Sequence, residues 1–154
     1  MIIQAGELSE RQQQYTGEES VSILDLENDP FARGKNTIHY DLTVRCLNDE
    51  ILVRGTLSVE LACLCSRCAD WFRNILRVPA FVRSYMLSSE NEVIDLTADI
   101  REDILLALPM NPVCSSKCRG LCPVCGANLN KQSCACHPGK TPAVWNVLDQ
   151  LTLN

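Results

Sequence analysis

Histidine is scarce, with two in 154 residues, and no glycine-rich run of the phosphate-cradling kind occurs anywhere in the chain. Catalysis built on imidazole has little to rest on, and nucleotide binding through a glycine loop has nothing. Long apolar runs are missing too. The longest, Ile104 to Leu108 and then Met110 past Pro109, falls far short of the roughly 20 residues that cross a bilayer. The amino end lacks a basic leader: Glu7, Glu10 and Arg11 follow Met1-Ile2-Ile3-Gln4-Ala5-Gly6 before a hydrophobic stretch develops, so a cytoplasmic protein is expected. Internal repeats and low-complexity tracts are absent, and the length suits one domain with a small appendage and not two full domains.

Cysteine, by contrast, is abundant. Ten cysteines would suggest a disulfide framework in a secreted chain, but a reducing compartment turns the same count into metal binding, with zinc the first metal to consider. The net charge of −5 is unevenly spread: −6 over residues 1–30, +3 over 31–89, −5 over 90–112 and +3 over 113–154. Such alternation could suit a ribonucleoprotein partner or simply keep an acidic protein soluble.

From Ile38 to Cys46 the apolar residues take every second position, and they alternate again from Ile51 to Cys63 after the polar turn Leu47-Asn48-Asp49-Glu50. The pair reads as an antiparallel hairpin. Leu76, Val78, Ala80 and Val82 form a third strand with Arg77, Arg83 and Tyr85 on its other face, and Pro79 makes it an edge or a bulge. Val21 to Leu26 adds a further expected strand, whereas the polar residues 1–20 are expected to be loosely ordered. A helix is expected from about Ala98 to Leu108, with Asp99 and Glu102 at capping-box spacing, an apolar stripe of Ile100, Ile104, Leu105 and Leu108, and Pro109 and Pro112 to stop it. Thr141-Pro142 followed by Val144, Trp145, Leu148 and Leu151 predicts a short closing helix. The expected fold class is α+β: an antiparallel, barrel-like sheet with one packed helix over residues 21–112, then a cysteine-rich zinc lobe and its terminal helix over 113–154.

Two cysteine groups carry the chemistry. Cys65-Ser66-Arg67-Cys68 lies at the tip between the second and third strands, and Cys114, Cys118, Cys122, Cys125, Cys134 and Cys136 crowd the carboxy-terminal region. In Cys122-Pro123-Val124-Cys125-Gly126 the glycine tolerates a backbone twist that lets amides point at the sulfurs. The eight divide most naturally into two closed four-thiolate zinc sites, Cys65, Cys68, Cys114 and Cys118 in one and Cys122, Cys125, Cys134 and Cys136 in the other. A rival grouping places Cys114, Cys118, Cys122 and Cys125 on one ion. Cys46 and Cys63 are in phase with the apolar strand faces and read as core thiols. His39 reads as exposed, and His137 could replace a ligand but is not needed.

Four thiolates per ion leave no coordination position for water, so a catalytic zinc is disfavoured, and no redox setting surrounds Cys65. Part of the basic complement Lys117, Arg119, Lys131 and Lys140 serves as countercharge to thiolate sites. Arg67, Trp71, Arg73 and Arg77, near the hairpin tip, are candidates for phosphate contact and base stacking.

The runs Cys65-Ser66-Arg67-Cys68, Leu106-Ala107-Leu108-Pro109-Met110-Asn111-Pro112-Val113-Cys114, and Cys118-Arg119-Gly120-Leu121-Cys122-Pro123-Val124-Cys125-Gly126-Ala127-Asn128-Leu129-Asn130, with Cys134-Ala135-Cys136 and Pro142-Ala143-Val144-Trp145-Asn146-Val147-Leu148, resemble the bacterial and plastid YceD family. These are the large ribosomal RNA subunit accumulation proteins, and the resemblance extends over roughly residues 20–151. It implies a non-enzymatic role in large ribosomal subunit biogenesis, with ribosomal RNA precursor or ribosomal assembly proteins as partners. Some similar proteins lack the second cysteine group, which agrees with two separable sites. The other reading open to the residues is a zinc-dependent regulatory adaptor or DNA-binding transcription factor, but the one clear helix is acidic and offers no basic recognition surface.

Overall fold

The computed structural model of the chain describes residues 1–8, 12–47, 49–87 and 92–136. The expected closing helix and His137 lie outside the described residues. Cα proximity divides the chain into two compact units, Met1–Ser66 with Asp70–Cys114, and a second made of residues 67–69 and the chain from Ser115 onward.

The first unit is built on a four-stranded antiparallel sheet. Its strands are β2 (Gln13–Glu19), β3 (Ala32–Leu47), β4 (Glu50–Leu64) and β5 (Trp71–Met86), which follow β1 (Ile2–Gln4) and lie in the order β2-β3-β4-β5. β1 pairs instead with β6 (Val93–Asp95), in register Ile3↔Ile94. The hairpin β3–β4 has the register Val44↔Val53, as the alternation predicts, and Pro79 sits on an edge strand. Among the described residues the sheet is open, with β2 and β5 as its edges, so it is antiparallel as expected but does not close into a barrel. The segment 1–20, expected to be loosely ordered, holds β1 and β2. The strand expected over Val21–Leu26 is a 3-10 helix, Val21–Leu24, started by the Ser20 hydroxyl accepting from Ser22 N–H and ended by Asp25 at φ 54°. A serine cap outweighs the apolar spelling there.

One face of the sheet is the core. Ile38, Leu42 and Val44 of β3 and Ile51, Val53, Leu57, Val59 and Leu61 of β4 are buried, and Leu24, Ile94, Leu96, Ile100 and Ile104 cover them. Cys63 is buried among these side chains and Cys46 packs against them, as the phase of their strands requires. Burial pushes the Cys63 thiol above its ordinary range.

A register shift changes the inward set along β5. Leu57 pairs with Val78 but Gly55 with Phe81, so β5 holds one extra residue around Pro79. After it, Phe81, Arg83 and Tyr85 turn inward and Val82 outward, the reverse of a simple two-residue repeat. The inward Arg83 requires partners, and the helix α1 (Thr97–Leu106) supplies them. Arg83 Nε donates to Asp99 at 2.9 Å and Nη2 to Asp103 at 2.5 Å, while the Tyr85 hydroxyl donates to Asp99. Asp99 was expected to cap α1 with Glu102. That role belongs to Asp95, whose Oδ1 accepts from Thr97 N–H at 2.9 Å and from the Thr97 hydroxyl at 2.6 Å. The start of the helix lies one residue earlier than its apolar stripe suggests, which places Asp99 inside the first turn.

The described part of the second unit has no helix or strand and is held by turns. Leu121 and Asn128 form an isolated bridge, Leu129 N–H donates to Gly120 O at 2.9 Å, and Lys131 and Gln132 N–H both donate to Asn128 O.

Candidate metal centres

Cys65 and Cys68 flank the turn between β4 and β5, and Cys114 follows the helix exit. The exit is fixed within the first unit: Ser66 N–H and its hydroxyl both donate to Pro112 O, at 2.8 and 2.9 Å, and Cys114 N–H donates to Cys65 Sγ at 3.4 Å. A backbone amide aimed at a sulfur stabilises the thiolate form of that sulfur.

The two Cys-x-x-Cys runs share one backbone device. Cys65 N–H donates to Asp70 O at 2.9 Å, and Cys122 N–H to Ala127 O at 2.8 Å, each reaching five residues ahead. The fifth residue of each run is left-handed, Ala69 at φ 55° and Gly126 at φ 72°. In the second run the tight turn lets the amides of Cys125 and Val124 point at Cys122, which pulls its thiol down to about 6. Its neighbour Cys136 is pushed up to about 12, chiefly by sharing a hydrogen bond with Cys125. Sulfurs this close cannot all ionise unless a cation arrives, and then the protons leave as a set.

The sulfurs of Cys65, Cys68, Cys114 and Cys118 all lie within 4.8 Å of one another, as do those of Cys122, Cys125, Cys134 and Cys136. A tetrahedral ion about 2.3 Å from each sulfur separates the sulfurs by about 3.8 Å, so each group could hold a metal ion with little adjustment. The rival grouping of Cys114 and Cys118 with Cys122 and Cys125 is not the one these sulfurs form. In the first group Cys65, Cys68 and Cys118 are buried, whereas in the second Cys125 is exposed and Cys134 and Cys136 are half-buried.

Two asparagines escaped the sequence reading. Asn130 Nδ2 donates to Cys118 Sγ at 3.3 Å, its Oδ1 accepts from Arg119 N–H at 2.8 Å, and Asn128 Nδ2 donates to Cys68 O at 3.4 Å. The Asn-Leu-Asn spelling after the last knuckle was the signal available. Gly120, at φ 73°, brings the chain beside Arg67, whose carbonyl accepts from Leu121 N–H at 3.0 Å.

Of the four residues expected to meet RNA, Arg67 places its guanidinium 3.4 Å from Cys118 O. Trp71 is exposed on β5 with the Arg33 guanidinium 4.4 Å over its ring, Arg73 pairs with Glu60, and Arg77 is exposed. Trp71, Arg73 and Arg77 share the outward face of β5, while Arg67 lies in the second unit.

Comparison with known proteins narrows the reading. Residues 82–152 match the family model for YceD, the large ribosomal RNA subunit accumulation protein. The YceD resemblance is borne out. The chain is 43% identical over 47 residues to the large ribosomal RNA subunit accumulation protein YCED homolog 1, chloroplastic, of Arabidopsis thaliana, covering 30% of this chain and 15% of that one. The corresponding protein of Zea mays is 48% identical over 46 residues, 29% of this chain and 16% of that one. An uncharacterized protein of Mycobacterium tuberculosis (strain ATCC 25618 / H37Rv), Rv2926c, is 33% identical over 103 residues, 58% of this chain and 50% of that one. The chain thus spans about half the length of the curated mycobacterial relatives it matches. No solved structure matches. Among the described residues, no helix is long and apolar enough to cross a membrane.

Proposed function

We propose that this protein is a non-enzymatic, zinc-binding factor that acts in the cytoplasm to support large ribosomal subunit biogenesis and the accumulation of large-subunit ribosomal RNA. The observation that carries the reading is the YceD match over the segment that supplies six of the eight clustered cysteines. Four thiolates favour zinc over harder ions, and two ions per chain follow from two groups. The ions would serve as folding staples: closed thiolate sites leave no place for a reacting water, and metal-binding free energy becomes folding free energy. Partners are ribosomal RNA precursor or ribosomal assembly proteins, met through Arg67, Trp71, Arg73 and Arg77. The exposed carboxylate of Glu102 and the engagement of Arg101 with Ile23 O at 2.6 Å leave α1 without the basic face a DNA-reading helix needs.

Deleting the gene is expected to lower mature large-subunit RNA relative to small-subunit RNA, and a Cys122→Ser variant is expected not to restore the balance. A normal ratio in the deletion strain, under cold as well as ordinary growth, would overturn the ribosomal reading and favour a regulatory adaptor.

A further inference from the structure

Among the described residues no helix covers the outward face of the sheet, and a defect in β3 shapes it. Gly34 pairs with Leu61 but Ile38 with Val59, so β3 carries two residues more than β4 across this interval. The extra length over residues 35–37 opens a furrow on the outer surface, a cavity of about 160 Å³ lined by Asn36, His39, Ser58, Glu60, Arg73 and Ile75. Drug-sized ligands take pockets of roughly 300–1,000 Å³. The furrow has room for a single planar ring system. Its lining suits one, because Ile75, about half exposed, offers an apolar wall, and an amide, an imidazole, a hydroxyl, a carboxylate and a guanidinium offer both donors and acceptors to a ring edge.

A second feature sits one row along. The Arg33 guanidinium lies 4.4 Å over the Trp71 ring, and Arg33 and Arg73 face each other across Ala62 of β4. A guanidinium plane held on an indole is itself a surface on which a base can stack. Trp71 and Arg77 are six residues apart on one strand, about 20 Å, long enough to follow a few extended nucleotides. The charge fits a polyanion: Arg73 lines the furrow, with Arg77 beside Ser58 and Arg33 beside Ala62, against Glu60, which Arg73 already pairs, and Glu18, which faces His39. His39 turns Nδ1 to Glu18 at 3.2 Å, so Nε2 is its second polar atom.

We propose that this outward face of β3, β4 and β5 is a platform for single-stranded RNA, which seats one unpaired base in the furrow and stacks the next on the Arg33–Trp71 pair. Double-stranded RNA cannot present an unstacked base to so small a furrow, whereas single strands bind by stacking and backbone charge. A protein partner is the less fitting occupant, since around the furrow the apolar side chains Trp71 and Ile75 are set among cations. The proposal deepens the ribosomal reading and rests on it.

The test uses the full zinc-loaded chain and a labelled short single-stranded oligoribonucleotide of mixed sequence, its duplex with the complement, and fluorescence anisotropy between roughly 50 and 200 mM salt. The single strand is expected to bind at least about tenfold more tightly than the duplex. Trp71→Leu is expected to weaken it by about tenfold, and Arg77→Gln to lower the salt slope by about 0.7. Ser58→Tyr fills the furrow and is expected to abolish the preference for single strands, with Ile75→Ser as the second variant should that chain fail to fold. Unchanged metal content and circular dichroism verify the fold of each. Equal binding of duplex and single strand, variants that bind like the parent, or no binding of either probe would overturn the platform, the last pointing to a protein partner. A deletion strain that still loses large-subunit RNA alongside such results leaves the functional reading standing, whereas a normal RNA ratio removes that reading itself.

Discussion

Replacing Arg83 by Met should destabilise the first unit, although neither its apolar core nor a cysteine is touched. Arg83 is the cation between two half-buried carboxylates and a phenol, joined to Asp99 at 2.9 Å and Asp103 at 2.5 Å, with the exposed Glu102 at 3.5 Å. Its side chain is 26% exposed, Asp99 24% and Asp103 16%. Burial disfavours the guanidinium charge, yet the two carboxylates more than offset it and hold the group above its ordinary range. The Tyr85 hydroxyl is likewise raised, first by burial and then by its hydrogen bond to Asp99. Removing one partner of a fully buried ion pair costs about 3–5 kcal/mol, and quarter-exposed groups recover part of that through water, so a loss of about 2 kcal/mol is expected. Arg83→Lys, which keeps the charge and loses the planar fork, should lose about 1 kcal/mol. Urea unfolding at neutral pH reads both as a lower midpoint with an unchanged slope. A double-mutant cycle with Asp103→Asn should return a coupling of about 1–2 kcal/mol. A change below about 0.5 kcal/mol in Arg83→Met would refute the reasoning and class the cluster with ordinary surface pairs.

Two further substitutions probe the cysteine turns. Gly126→Ala meets no atom within 4 Å, so its cost is backbone strain alone, about 1 kcal/mol, or roughly a fivefold weaker zinc affinity by chelator competition. Ala69→Gly relieves the same strain at φ 55° and should leave affinity equal or slightly higher; a loss there would mean the two turns are not one device. Cys65→Ser should release the amides of Ser66 and Cys114 to exchange, while those of Cys122 and Gly126 stay protected; uniform loss of protection would show that the two cysteine groups do not act separately.

Much of the sheet was legible because β3 and β4 bury one face and expose the other, which makes a period of two visible. The bulges were not. Nothing in Asn36 or Thr37 announces the two extra residues of β3, and Pro79 marks a bulge without saying that Arg83 and Tyr85 thereby turn inward. The same inversion explains why Asp99 read as a cap, since a carboxylate near a helix start has that meaning until an arginine faces it from another strand. The short strand β1 lies too far in sequence from its partner β6 for any local pattern to pair them. The cysteine groups were legible from spacing because a tetrahedral ion fixes which thiols must meet. The support given by Asn130 to Cys118 depends on a turn twelve residues later and carries only a weak local signal.

The most direct test is metal analysis of the protein purified without added chelator, read together with its thiol count. Two groups of four thiols predict about two zinc ions per chain, tightly held, with eight of the ten thiols protected from alkylation until a chelator is added. One ion per chain would contradict the division into two sites, and a metal content near zero would remove zinc from the function altogether.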